Sequence, residues 1–168
     1  MQISKPNKSY DLVVVGGGMV GASFCCALEE AMSENPLSIL VIDAILPNAY
    51  SSKQSSLDAR STALSFGSRK FFEDIGLWQT LGDAVSAIHE IQISDRGRLG
   101  SVEINRNDQN VEALGYVVEN KKLGQVLSTR LNKSEKIEFL CPALVSSVKA
   151  TEKGMLLGLH HGDIETSI

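Results

Sequence analysis

The chain has 168 residues, 43% of them hydrophobic, with 16 lysines and arginines against 20 aspartates and glutamates and a formal net charge of -4. That length and composition suit one ordinary globular domain with its own core and exclude large-scale disorder. The acidic balance leaves no basic footprint for nucleic acid, and the three cysteines form neither a C-x-x-C metal pair nor a disulfide framework.

Residues 1–9 are a polar tail with Pro6 and without the apolar core of a secretory signal, so a cytoplasmic location is expected. Residues 10–15, Tyr-Asp-Leu-Val-Val-Val, suit a strand buried on both faces. Gly16-Gly17-Gly18-Met19-Val20-Gly21 then fits G-x-G-x-x-G. In that pattern Gly16 permits a tight turn, Gly18 lets backbone approach a pyrophosphate, and Gly21 lets helix and strand pack closely. Val20, Phe24, Ala27, Leu28 and Ala31 recur at spacings of three and four, which predicts a helix with that apolar face, ending before Asn35-Pro36. Its N-terminus opens at the glycines, where unpaired N–H groups and the helix dipole favour a phosphate. Residues 38–42 predict a second apolar strand ending on Asp43, 22 residues after Gly21. A carboxylate there accepts hydrogen bonds from ribose hydroxyls and repels a 2′-phosphate. The glycines alone would also describe a bare strand-helix turn. Strand, helix and acid in that order point to an adenine dinucleotide instead.

A doubly wound dehydrogenase would continue with another helix and another parallel strand. Residues 47–56 are instead a loop of small polar residues, leading to Asp58-Ala59-Arg60-Ser61-Thr62-Ala63-Leu64-Ser65. From there a helix is expected to run to about Ile75, with Leu64, Phe71, Phe72 and Ile75 as its apolar stripe and Gly76 as its stop. Alternation over residues 89–94 and 101–105 predicts an antiparallel hairpin around Asp95-Arg96-Gly97-Arg98, and residues 115–118 add a third strand. The arginines flanking Gly97 either hold an anion or are solvated turn charges. Asn120 stands where a helix would be capped, and Leu123, Leu127 and Leu131 continue that helix at spacings of four. Residues 136–140 return to strand character, and residues 143–150 and 155–160 read as two more strands around Glu152-Lys153-Gly154. His160 and His161 face opposite sides of a strand, so no metal site is assigned. Cys25, Cys26 and Cys141 read as small buried thiols. The expected class is therefore α/β, a Rossmann-like βαβ unit with a mixed or antiparallel β insertion.

Residues 13–21, 58–65, 93–97 and 114–120 together resemble the flavin-dependent aromatic hydroxylases related to p-hydroxybenzoate hydroxylase, and among them the polyprenylphenol hydroxylases of ubiquinone biosynthesis. The first stretch is shared by many flavoproteins, whereas the second and fourth in combination are specific to the ubiquinone branch. The resemblance implies a glutathione-reductase-type flavoprotein fold. Residues 10–168 would be an incomplete FAD-binding domain behind the tail at 1–9, with residues 88–118 beginning an inserted substrate-domain sheet. It implies FAD as cofactor, with NAD(P)H as reductant in the complete enzyme. Gly16, Gly18 and Gly21 would surround the pyrophosphate, and Asp43 would hold the adenosine ribose where relatives more often carry glutamate. Arg60 would approach cofactor phosphate or flavin oxygens. Asn120 stands where relatives place arginine or glutamine against the cofactor, and Val145 where they offer backbone to the adenine. From their residue types alone, Arg60 is a helix-start surface charge, Asn120 a helix cap and Val145 a strand residue.

No catalytic acid or base is assigned. The partners implied are a polyprenylphenol substrate, a peripheral membrane or biosynthetic-complex association and a homo-oligomer, with no nucleic acid. The match covers only the first part of a longer protein, before the later Gly-Asp motif that holds the rest of the flavin. The 168 residues alone are therefore expected to be inactive and to hold FAD poorly. A non-catalytic dinucleotide-binding or interaction module is the alternative, and an NAD-dependent dehydrogenase a further one that the missing second βαβ unit disfavours.

Overall fold

The computed structural model describes residues 8–32, 37–45, 60–97, 99–161 and 164–167. In chain order the first elements are β1 (Leu12–Val15), α1 (Met19–Ala31), β2 (Ile39–Ile42), β3 (Ser61–Ser65), α2 (Phe66–Asp74) and α3 (Trp78–Leu81). They are followed by β4 (Val85–Ile88), β5 (Glu90–Ser94), β6 (Ser101–Asn105), β7 (Gly115–Glu119), α4 (Asn120–Lys133), β8 (Ile137–Leu140), β9 (Leu144–Thr151), β10 (Gly154–His161) and β11 (Ile164–Ser167). The chain divides into two compact units, residues 1–55 with 127–168 and residues 56–126, and the division falls within α4.

In the first unit β1, β2 and β8 form a parallel sheet with β2 in the middle. All four β2 residues, Ile39, Leu40, Val41 and Ile42, are buried, as an unbroken apolar run with neighbours on both edges should be. Leu40 and Ile42 join Ala143, Leu157 and Leu159 in one core cluster, with Tyr10, Val13, Leu140 and Val145 packed around it. The antiparallel β9, β10 and β11 complete this unit, and Gly154 turns the β9–β10 hairpin at a φ of 143°. The predicted strands at 143–150 and 155–160 are thus present.

Helix α1 forms as expected, but its buried face is a different one. Ala22, Cys25, Cys26 and Met32 are buried, whereas Val20 is 86% and Phe24 50% exposed. The cause is the close approach at Gly21, where an added Cβ would lie 2.0 Å from the Gly16 carbonyl oxygen. That approach fixes the rotation of the first turn of α1, which carries Ala22, Cys25 and Cys26 inward and leaves Val20 and Phe24 outside. Cys25 and Cys26 are buried thiols, as expected, while Cys141 is half-buried.

The second unit corrects the helix expected from residue 58 onward. Residues 58–59 lie outside the described residues; Ser61–Ser65 is a strand, and α2 begins only at Phe66. Thr62 and Leu64 alternate inward, and β3 pairs with β7 from Ser61 opposite Glu119 to Ser65 opposite Gly115. Pairing with a distant strand outweighs local helix preference here. Ser65 then caps α2, its Oγ accepting the Ser68 N–H at 3.1 Å. At the other end Gly76 has a φ of 69°, its N–H bonds the Glu73 carbonyl and the Leu77 N–H bonds the Phe72 carbonyl, both at 2.9 Å. The predicted glycine stop is therefore a Schellman turn.

Strands β5 and β6 form the expected hairpin, with Ile91 opposite Ile104 and Ile93 opposite Val102. The third strand expected beside them, β7, instead lies between β3 and β4. A polar loop after β6 turns the chain away, and the Leu114 N–H bonds the Ile88 carbonyl at 2.8 Å to start β7 against β4. Arg69 ties this unit together: its Nη1 donates to Glu112 at 2.6 Å and to the Tyr116 hydroxyl at 2.5 Å, and its guanidinium lies over the Trp78 and Tyr116 rings. Among the described residues no helix is long and apolar enough to cross a membrane.

Candidate functional site

Strand β1 runs straight into the glycine turn. The Gly16 N–H still bonds the Ile42 carbonyl at 2.8 Å, and a φ of 104° then reverses the chain toward α1 in a conformation that disfavours any side chain. Gly17 follows, and its N–H donates to Asp43 Oδ2 at 2.7 Å. Asp43 Oδ1 accepts the Ile45 N–H at 2.9 Å. The Asp43 backbone is fixed as well, its N–H on the Leu140 carbonyl at 3.1 Å and its carbonyl on the Ala143 N–H at 2.7 Å. Both carboxylate oxygens are thus oriented by backbone, and each keeps a second lone pair with which to accept a ribose hydroxyl.

The glycines answer to different constraints. Gly21 is required by packing, as its closeness to the Gly16 carbonyl shows. Gly18 is not: it is the N-cap of α1 at φ -68° and ψ -174°, and a Cβ there would meet nothing within 4 Å. Nothing among the described residues demands glycine at 18, yet the open direction lies at the mouth of a 13-residue helix with no side-chain cap. That cradle suits an anion held by backbone N–H groups. Gly16, Gly18, Gly21 and Asp43 are therefore brought together at one turn, with the open N-terminus of α1 beside an oriented carboxylate. The residues present fit the adenosine diphosphate part of FAD.

Sequence reasoning missed Phe139. A Cβ on Gly17 would lie 2.7 Å from its ring, so this half-buried side chain of β8 sits directly against the turn. A lone aromatic in residues 136–140 was a weak signal, because only the pairing of β8 with β2 shows which turn it reaches. Val145, on β9, is half-buried, with its side chain packed against the core cluster.

Arg60 and Asn120 lie in the second unit and are neighbours there, the Asn120 N–H bonding the Arg60 carbonyl at 3.0 Å. Asn120 does not cap its helix as expected. It is the first residue of α4, and its Oδ1 accepts the Thr62 hydroxyl at 2.6 Å. The β3–β7 pairing places Thr62 at that end of the strand, which gives the amide oxygen a partner other than the helix N–H groups. Its Nδ2 remains the donor end of the amide.

Elsewhere burial pushes the Cys25 and Cys26 thiols up to about 11, so both stay protonated at neutral pH. Burial and the nearby Asp43 charge also raise Cys141. None of the three is poised as a thiolate nucleophile. No group of three metal-ligating side chains occurs among the described residues.

No family model matches the chain. It is 31% identical over 159 residues to ubiquinone hydroxylase UbiL of Rhodospirillum rubrum, a match covering 93% of this chain and 35% of that protein. It is 23% identical over 155 residues to the mitochondrial ubiquinone biosynthesis monooxygenase COQ6 of Dictyostelium discoideum, over 87% of this chain and 31% of that one. Among solved structures it is similar to the flavin-dependent monooxygenase PieE, crystallised with FAD and substrate, at 12% identity and a TM-score of 0.71 over 96% of this chain and 29% of that one. The chain spans about a third of the length of the curated relatives it matches. The likeness to the ubiquinone branch drawn from the sequence is thus borne out, and the fold is the flavoprotein α/β fold expected.

Proposed function

We propose that this chain is the nucleotide-binding N-terminal portion of an FAD-dependent hydroxylase acting on a polyprenylated phenol in ubiquinone biosynthesis. The observation that carries the nucleotide half is Gly18: the protein leaves its missing side chain open at a helix N-terminus, beside a carboxylate already oriented by backbone. The similarity to ubiquinone hydroxylases over nearly the whole chain supports the reaction class. Within that branch the residue pattern favours the octaprenyl-methoxyphenol hydroxylases.

In the complete enzyme the flavin, reduced by NAD(P)H, supplies the oxygen-inserting chemistry. This chain's residues hold the other end of the cofactor. The N–H groups at Gly18 and the first turn of α1 take the pyrophosphate, and Asp43 accepts from the adenosine ribose. Val145 offers backbone toward the adenine, and in the second unit Arg60 and the Asn120 amide donate to cofactor oxygens. Residues 88–118 begin the substrate-domain sheet. A phenol with a long apolar tail also brings the complete enzyme to a membrane surface.

Titration of the purified protein with FAD, ADP and NADP tests the nucleotide reading. FAD and ADP should bind more tightly than NADP, because the Asp43 carboxylate repels a 2′-phosphate. Tighter NADP binding would reject the assignment and favour a nicotinamide-dependent dehydrogenase.

A further inference from the structure

We infer that Phe139 is a positioning residue for the ribose end of the nucleotide, acting through Gly17 on the carboxylate of Asp43. The inference rests on the nucleotide-binding reading and adds a residue to it. Three observations converge. The Phe139 ring stands where a Gly17 side chain would be, 2.7 Å from the Cβ position at its nearest atom and 3.2 Å at the next. The same Cβ position is 3.4 Å from Asp43 Oδ2, so ring, turn and carboxylate meet at one point. There the Gly17 N–H donates to Asp43 at 2.7 Å.

Strand β8 carries both supports of this arrangement. Phe139 is in register with Val41, two residues before Asp43, and the next residue, Leu140, accepts the Asp43 N–H. The ring thus props the turn from below while the same strand pins the backbone of the acid. With aspartate in place of the longer glutamate, the carboxylate has little reach of its own. Its position relative to the ribose is set by what Gly17 and Ile45 donate to it. Removing the ring lets the turn sink or tilt, loosens the Gly17 bond and frees the carboxylate to rotate. A Cβ at Gly18 would meet nothing within 4 Å, the ring included, so the pyrophosphate cradle at the start of α1 should persist.

The test compares ADP with 2′-deoxy-ADP on the wild-type chain, Phe139→Leu and Phe139→Ala by calorimetric titration, with thermal melts alongside. The wild type should prefer ADP by about tenfold, the loss expected when an oriented charged acceptor is left without its hydroxyl. In Phe139→Ala that preference should fall to about twofold or less while 2′-deoxy-ADP affinity changes little, and Phe139→Leu should recover part of it. A purely structural role would weaken both nucleotides together and leave their ratio intact. That outcome, in whichever variant folds, overturns the inference while leaving the nucleotide reading in place. Failure of the wild-type chain to bind ADP overturns both.

Discussion

A side chain at position 18 would project into open space, whereas one at position 21 would strike the Gly16 carbonyl, so binding and folding can be separated by substitution within one motif. Gly18→Val keeps an accessible backbone conformation and should alter stability by about 1 kcal/mol or less, the scale of an N-cap change. It should nevertheless lower ADP and FAD affinity about tenfold or more, measured by titration with circular dichroism as the folding control. Unaltered affinity would move the phosphate cradle elsewhere. Arg60→Ala tests the second unit's contribution: loss of a direct charge-assisted bond costs about 1.5–3 kcal/mol, so FAD affinity in the full-length parent should drop about tenfold or more. An unchanged affinity would return Arg60 to the role of a surface charge. The glycines and Asp43 were legible in the sequence because their chemistry is that of local backbone at fixed spacing. Phe139 was not, since its partner turn lies far away in the chain and no spacing rule connects them.

Elements were legible where periodicity and burial agree, as in the β9–β10 hairpin and the glycine stop after α2, and misread where packing chose differently. Helix α1 shows the second case. Val20 and Phe24 lie outward because the close contact of Gly21 with the Gly16 carbonyl sets the rotation of the helix, a constraint that a hydrophobicity pattern does not contain. Gly21→Ala should therefore destabilise the whole βαβ unit by about 1–3 kcal/mol or more in chemical denaturation, with nucleotide binding lost in parallel. A variant of wild-type stability would mean that helix and strand can separate freely. The same inward face gives a pH signature. The folded thiols of Cys25 and Cys26 are raised from 9.0 to about 11, so the folded state holds protons that the unfolded chain releases first. Their contribution is fully present below the unfolded value and is lost as pH rises through the folded one. Stability should fall between about pH 9 and about pH 11, and a Cys25→Ala/Cys26→Ala chain should show a shallower decline over that window. An identical decline in both chains would assign the alkaline transition to other groups.

Across the whole molecule the least legible feature is connectivity. Residues 39–42 and 137–140 read as strands, but nothing local reveals that they pair in parallel with one entire unit of the chain between them. Closing so long a connection adds little in loop entropy, since that term grows only with the logarithm of length, yet it hides the sheet order from any window of sequence. The insertion also contributes a surface of its own. One face of the β5–β6 hairpin carries Ile91, Ile93 and Val102, which are 38%, 53% and 61% exposed, beside Ile104. The opposite face pairs Glu90 with Asn105, Gln92 with Glu103 and Ser94 with Ser101. A two-stranded ribbon is marginally stable in water by itself, and its apolar side gains by being covered. In a solution of this chain alone the cover within reach is a second copy, so self-association should rise with protein concentration. Ile93→Thr/Val102→Thr keeps β-branched side chains in the strands while adding hydroxyls to the exposed face, which preserves the hairpin and weakens its attraction for another. Sedimentation velocity over a range of concentrations should show the wild-type chain shifting toward dimer and the double variant remaining monomeric, with equal ADP affinity in both. A wild-type chain that stays monomeric throughout, or a variant that associates as strongly, would remove the hairpin face as the source of association.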